Sequence, residues 1–572
     1  SYCVSEGVVY FVLADDQRLY RLDTRTTPAT PEPLTPEGPY RYADLCLDRD
    51  RQRLLCVRED HTHTDREETN ALVAVSLTPA AQLAPPTLLV EGNDFYSNPR
   101  LSPDGTQLSW LTWNHPNMPW DATECWLAGL DADGCPSQPR CIAGGADESI
   151  FQPQWSPSGE LYLVSDRSNW WNLYRWDGTQ LHALLEREAE FATPQWIFGM
   201  STYGFLDADT LLCCYCENGA WQLAQIDCTT GRWQALATDF TDISAVHCGA
   251  GRGVFLGASP QTFEQIVEFH QGELHPLASA SDAQLDPGHL SKPEAICFPI
   301  PDTDTDTDTG QHAHGFYYAP ANADYRAAHG SAPPLIVFCH GGPTAATSNA
   351  LNLKVQYWTS RGFAVFDINY RGSTGYGRRF RDSLKGQWGV SDVADVCAGA
   401  SYLVARGLAD PERLAIKGSS AGGYTVLAAL TFANTFKAGA SHYGIGDLET
   451  LARDTHKFEA RYLDSLVGPY PAAKNLYHQR SPIHHSAQLN CPVIFFQGLD
   501  DLVVPPNQAE AMVAALSSKG ISTAYVPFRG EGHGFRQGPN IRRALEGELY
   551  FYSQIFGFEL PEAIPPVIFE TN

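Results

Sequence analysis

Nowhere in its 572 residues does the sequence reach about 18 uninterrupted apolar positions, so nothing in it reads as a membrane-spanning helix. Positive charge is scarce too. Lysine and arginine total 39 against 66 aspartates and glutamates, a formal net charge of −27 that repels a phosphate backbone and disfavours nucleic acid as a partner. No secretory leader precedes the first β-type run, Val8 to Leu13, and the 15 cysteines sit mostly in apolar runs as buried thiols. Together these predict a cytoplasmic setting. Because the chain opens on Ser1 rather than methionine, an upstream piece carrying a signal is equally compatible with the same residues. The densest thiol group, Cys213, Cys214 and Cys216, lies on one strand-like run whose alternate residues face opposite ways, so it cannot close a metal site by itself. No metal and no organic cofactor is expected.

The chain has instead enough apolar residues (43%) and few enough charges (18%) for a globular protein, and it is long enough for two cores. Up to about residue 285 it consists of short β-type runs and turn residues, without sustained helical periodicity. A phrase recurs: Asn98-Pro99-Arg100-Leu101-Ser102-Pro103-Asp104-Gly105 returns 54 residues later as Gln152-Pro153-Gln154-Trp155-Ser156-Pro157-Ser158-Gly159, with weaker echoes at Leu45 to Asp50 and from Thr193. A period of that size with several strands per unit is the signature of propeller blades. About six are expected, the first lacking its opening strand, or seven if residues precede Ser1; a long β-sandwich is the competing reading. Residues 286–310 are expected to be a linker and hairpin. Within them Pro301 to Thr309 alternates acid and hydroxyl without the glycine and glutamate of a calcium loop, which predicts a solvated hairpin tip.

From 311 to 572 the rhythm changes to strand, loop, helix. Strands are predicted at Leu335 to His340, Phe363 to Asn369, Arg413 to Lys417, Ala438 to Tyr443, Pro492 to Gln497 and Thr523 to Phe528. Helices are predicted at Val390 to Arg406 and Pro506 to Lys519. This is a mostly parallel sheet with helices on both faces. Gly418-Ser419-Ser420-Ala421-Gly422 falls between a strand and an apolar helix-like stretch, the context of a nucleophile elbow, in which small residues must flank the serine two positions away on each side. Only Ser420 meets that condition. A hydroxyl needs a base, and the base needs a third group to hold its tautomer. In an α/β-hydrolase the chain order is serine, acid, histidine, and both partners follow strands: Asp500 and Asp501 after Pro492 to Gln497, and His533 in Gly530-Glu531-Gly532-His533-Gly534-Phe535 after Thr523 to Phe528. His442, His456, His478, His484 and His485 lack such a glycine-rich loop and read as ordinary histidines. His340-Gly341-Gly342-Pro343, after the first of the listed strands, offers backbone N–H groups to a developing oxyanion. The amides of Gly342 and Ala421 are the expected pair.

His340 to Pro343, Asn369-Tyr370-Arg371-Gly372-Ser373-Thr374-Gly375-Tyr376-Gly377, Gly418 to Gly423, Asp500-Asp501-Leu502-Val503-Val504-Pro505 and Gly530 to Phe535 together resemble the prolyl oligopeptidase family, most closely its acylaminoacyl-peptidase and aminopeptidase branch. The resemblance covers about residues 311 to 560 strongly and the β half weakly. It implies a propeller serving as a lid that admits short peptides, and it implies Asp500 rather than Asp501 as the acid. It also implies backbone amides as oxyanion donors where relatives use a tyrosine, since His340 stands there. Leu502 replaces an arginine that many relatives use to grip a substrate carbonyl, which points to small substrates such as aminoacyl amides. The partners expected are therefore a short peptide or aminoacyl compound, with a homo-oligomer allowed. Two rival readings share these residues: a carboxylesterase with the same triad, and an inert hydrolase half carried with a binding propeller. Glu124, Trp170 and Trp171 are candidates to hold a free α-amine through charge or cation–π contact, against blade packing as the plain alternative.

Overall fold

The computed structural model describes residues 1–78, 83–301, 308–328, 330–560 and 562–570. Two compact units emerge, one of Ser1–Asp239, Ile243–Gly257 and Gln265–Ala278, the other of Phe240–Asp242, Ala258–Glu264 and Ser279–Asn572.

The first unit is a six-bladed β-propeller whose blades are four-stranded sheets with strands in sequence order. Its first sheet begins with Tyr2–Ser5 paired to Val8–Val12, so the opening strand expected to be missing is present, and the described residues of this unit form six four-stranded sheets. The repeat seen in the sequence has a backbone cause. Asp44, Asn98 and Gln152, each 54 residues from the next, all take left-handed φ (53°, 51° and 47°) where a β-bulge interrupts the opening strand of their sheets. These positions also link neighbouring sheets, because the Asn98 N–H donates to the Asp44 carboxylate at 2.5 Å and the Thr202 N–H to Gln152 Oε1 at 2.7 Å. The Ser-Pro-x-Gly phrases are the turns that follow. Gly105 N–H closes on Ser102 O and Gly159 N–H on Ser156 O, with φ of 67° and 89° at the two glycines.

The second unit is built on a nine-stranded sheet: β1 (Pro293–Pro301), β2 (Asp308–Tyr318), β3 (Leu335–Cys339), β4 (Ala364–Asn369), β5 (Leu414–Ser419), β6 (Ala438–His442), β7 (Val493–Gly498), β8 (Thr523–Phe528) and β9 (Phe569–Glu570). The spatial order is β1-β2-β4-β3-β5-β6-β7-β8-β9. Strands β3 through β8 run parallel, and the outer pairs are antiparallel. Segment 286–310, read from the sequence as linker and hairpin, thus supplies edge strand β1 and the start of β2; the expected solvated tip falls on residues 302–307, outside the described residues. Strand β7, Val-Ile-Phe-Phe-Gln-Gly, is buried throughout, as a strand covered on both faces must be. Helix Ala421–Phe432 packs on β5 and β6 and is buried along nearly its whole length. The parallel register aligns the carboxyl ends of β5 to β8 along one edge, where Ser419 pairs with His442 and Gly498 with Phe528.

Beneath that edge the Lys417 ammonium donates to Glu548 Oε2 at 2.6 Å, and the Tyr552 hydroxyl donates to Oε1 at 3.1 Å. All three side chains are buried, so the pair ties β5 to helix Gly538–Phe556 in a setting where losing one partner strands a charge. Three imidazoles of the same unit, His314, His340 and His442, are pushed down to about 4 from an ordinary 6.5, in each case chiefly by desolvation. Between those values the unfolded chain binds more protons than the folded one, so stability rises with pH across this window. The contribution of these histidines is complete above about 6.5 and is lost as pH falls through about 4. Melting temperature is therefore expected to drop steadily from pH 6.5 to pH 4, and a flat profile would contradict neutral buried imidazoles.

Candidate active site

Strand β5 ends at Ser419 and the helix begins at Ala421, so Ser420 alone makes the turn, at φ 56° and ψ −122°. A serine held there is strained, and the surroundings dictate it. Its N–H donates to His442 O at 3.0 Å while its carbonyl accepts from Tyr424 N–H at 3.0 Å. The flanking glycines are required by contact. A Cβ on Gly418 would stand 2.4 Å from Gly422 O, and one on Gly422 would stand 2.2 Å from Cys339 O and 2.6 Å from His340 O. Gly422→Ala is therefore expected to destabilise the fold by about 3 kcal/mol or more through overpacking against backbone that cannot yield, seen as a lowered melting temperature.

His533 reaches this turn from the loop after β8. Its Nε2 lies 2.9 Å from Ser420 Oγ and its Nδ1 lies 2.7 Å from Asp501 Oδ2. The carboxylate is fully buried, and its other oxygen accepts the N–H groups of Val503 and Val504 at 2.9 Å each. Acceptance at Asp501 requires a proton on His533 Nδ1, which leaves Nε2 free to accept from the serine. The histidine loop is held by Glu531, 1% exposed, whose carboxylate accepts from Arg536 N–H, Gln537 N–H and the Asn540 side chain. Gly498 allows that loop to lie against β7, since a Cβ there would meet Gly532 O at 2.4 Å. Tyr443, at φ 39°, packs its ring edgewise on His533 with centroids 4.8 Å apart.

The structure corrects the sequence reading of the acid. Asp500 was expected to hold His533, but the carboxylate hydrogen-bonded to its Nδ1 is that of Asp501. Asp500 sits exposed on the turn beyond β7, and its own N–H is committed to Glu531 O at 3.0 Å, zipping the two loops together. The next residue points inward. The missed signal is turn chemistry: Asp501 precedes two amides, at +2 and +3, that no strand partner takes, and a short acid is the side chain that satisfies them. Glu531 was overlooked as well, although a carboxylate between glycines ahead of a histidine is well placed to gather loop amides. Leu502 is 86% exposed.

Gly341 faces the elbow from the end of β3, where a Cβ on it would lie 3.5 Å from Ser420 Cβ. Among the described residues, no protein acceptor takes the N–H of Gly342 or of Ala421. The loop is anchored by Tyr462, whose hydroxyl accepts from Thr344 N–H at 3.1 Å. Of the candidates for an α-amine site, Trp171 is 1% exposed, which removes its ring from that role, and the Glu124 carboxylate accepts from Trp126 Nε1 at 2.9 Å. The described residues contain no cluster suited to a metal ion and no helix long and apolar enough to cross a membrane.

Residues 349–559 match the model of the prolyl oligopeptidase family. A solved Mycobacterium tuberculosis structure, described as a puromycin-hydrolyzing peptidase, is 39% identical with a TM-score of 0.94, covering 100% of this chain and 88% of that one. The chain belongs to the prolyl oligopeptidase family. Within the family it is also similar to the dipeptidyl aminopeptidase BIII of Pseudoxanthomonas mexicana, 33% identical over 39% of this chain and 33% of that protein. The acylamino-acid-releasing enzyme of Arabidopsis thaliana is 32% identical over 36% of this chain and 28% of that protein. The match thus spans about a third of the length of these curated relatives.

Proposed function

We propose that this protein is a serine peptidase that hydrolyses the amide bonds of short peptides or aminoacyl compounds through an acyl-enzyme. The observation that carries the reading is the unbroken succession Asp501, His533, Ser420, with hydrogen bonds of 2.7 and 2.9 Å. Ser420 Oγ attacks the substrate carbonyl carbon as its proton passes to His533 Nε2, and the buried Asp501 carboxylate balances the imidazolium. The carbonyl oxygen, now negative, takes the free N–H groups of Gly342 and Ala421. His533 returns the proton to the leaving amine, breaking the C–N bond. Water, deprotonated by the same imidazole, then releases the acyl group and restores Ser420.

Small aminoacyl amides are the favoured substrate class. The exposed Leu502 offers no cation to a substrate carbonyl, and a full-length structural relative is described as acting on puromycin, itself an aminoacyl amide. The test is turnover of matched aminoacyl anilides with free and acetylated amino groups, beside simple aryl esters. Cleavage of the free-amine anilides supports an aminopeptidase, cleavage of acetylated ones an acylaminoacyl-peptidase, and hydrolysis of esters alone would replace the peptidase reading by a carboxylesterase.

A further inference from the structure

Lys417 and Ser419 fall on one face of β5, two residues apart and just ahead of the nucleophile, and both line a cavity of about 120 Å³. His442 and Tyr443, from the end of β6, and Asn352 and Lys354 complete its polar lining, while apolar residues of helix Gly538–Phe556 close one wall. Asn352 and Lys354 are exposed and form the mouth. None of the described lining residues is acidic.

The two ammoniums here have donors to spare. Lysine carries three N–H groups. Lys417 is 7% exposed, and among the described residues it gives one of them, to Glu548 Oε2 at 2.6 Å. The rings of Phe338 and Trp358 face the same ammonium at 5.0 and 5.5 Å; ring faces attract its charge but are weak hydrogen-bond acceptors. Lys354 has no acceptor for its ammonium among the described residues, and that ammonium is held below its usual range by desolvation first and by the Lys417 charge second. Glu548 offsets one of the two positive charges. The His442 ring, kept neutral by burial, adds none. One uncompensated cation therefore faces a partly desolvated space, where a buried donor without an acceptor is costly.

We propose that this cavity is a binding site for one small monovalent anion, a halide or a formate-sized carboxylate, held between the ammoniums of Lys354 and Lys417. A single negative charge balances the group, and a dianion overshoots it. At roughly 30 Å³ per water the space equals about four waters, enough for such an ion with part of its hydration shell and too small for a sugar acid such as gluconate. The site is independent of the hydrolase reading above.

The experiment follows the melting temperature of the full chain at constant ionic strength as sodium gluconate is replaced by chloride, bromide, formate or sulfate. An anion that binds only the folded chain raises the midpoint with a saturating dependence on concentration, by about 2 °C at ten times its dissociation constant. Sulfate should stabilise without saturation, by exclusion from the surface, and equally in every variant. Lys354→Gln, at an exposed position, should weaken the apparent affinity about tenfold, Lys354→Arg should keep it, and Lys354→Glu should abolish saturation. Bromide diffused into crystals should give an anomalous peak within hydrogen-bonding reach of Lys417 Nζ.

Tighter binding of chloride or of formate tells a halide site from a carboxylate one, and saturation by neither overturns the proposal. So do equal affinities in the native chain and Lys354→Gln, or a bromide peak that misses the cavity. Saturable sulfate binding as tight as that of chloride would overturn the monovalent assignment. If Lys354→Gln fails to fold, the bromide peak decides.

Discussion

Asp501→Asn is expected to lower kcat on aminoacyl anilides by about four orders of magnitude, and Asp500→Asn to leave it within about twofold. An asparagine at 501 can keep the N–H groups of Val503 and Val504 on its Oδ1, so the loop survives. Its Nδ2 would then face His533 Nδ1 as a donor, forcing the ring proton to Nε2, where it cannot accept from Ser420. The defect should therefore appear in kcat with little change in melting temperature, and alkaline pH should partly restore activity as the serine loses its proton unaided. Asp500 is a surface side chain whose structural part is played by its backbone N–H, which asparagine retains. The reverse ranking of the two variants would show that the hydrogen bond between Asp501 and His533 is not the working one.

Ser420→Ala should remove about six orders of magnitude from kcat and all covalent labelling by a fluorophosphonate, with Ser419→Ala retaining most of both. Deleting one oxygen at 420 leaves the backbone turn as it was, since the φ of 56° is imposed by the contacts of Gly418 and Gly422 and by the hydrogen bonds to His442 and Tyr424. The variant should fold and still bind product. Labelling that persisted in Ser420→Ala would assign the nucleophile elsewhere. The same pair of measurements bears on the peptidase reading as a whole, because both acylation and its inhibition depend on this hydroxyl.

Much of the site was legible because its demands are local. A nucleophile elbow needs glycines two residues to either side of the serine, and Gly418 and Gly422 meet backbone atoms within 2.4 Å of where a Cβ would stand. A histidine must arrive on a loop free to curl, hence the glycines around His533. The blade period was visible for a similar reason: each repeat needs the same left-handed residue and the same tight turn, at 44, 98 and 152 and at the Ser-Pro-x-Gly phrases. The opening strand Tyr2–Ser5 was invisible because its side chains are half exposed and polar in part, so no apolar run marks it.

What the amino-acid order determined by itself is the inventory and its sequence: a β-repeat half, a parallel α/β half, and a serine, an acid pair and a histidine after successive strands. Tertiary structure alone decided which aspartate meets His533. Adjacent aspartates at the end of a strand differ in direction rather than chemistry, and only the packing of the 530–537 loop against Gly498 and the amides of Val503 and Val504 sends Asp501 inward and Asp500 to solvent. The tertiary structure also decided the partners of His340, whose ring meets a carbonyl one residue away and hydroxyls 30 and 33 residues on. Hydrogen-bond direction depends on which groups meet, and residues distant in sequence meet only once the sheet has assembled.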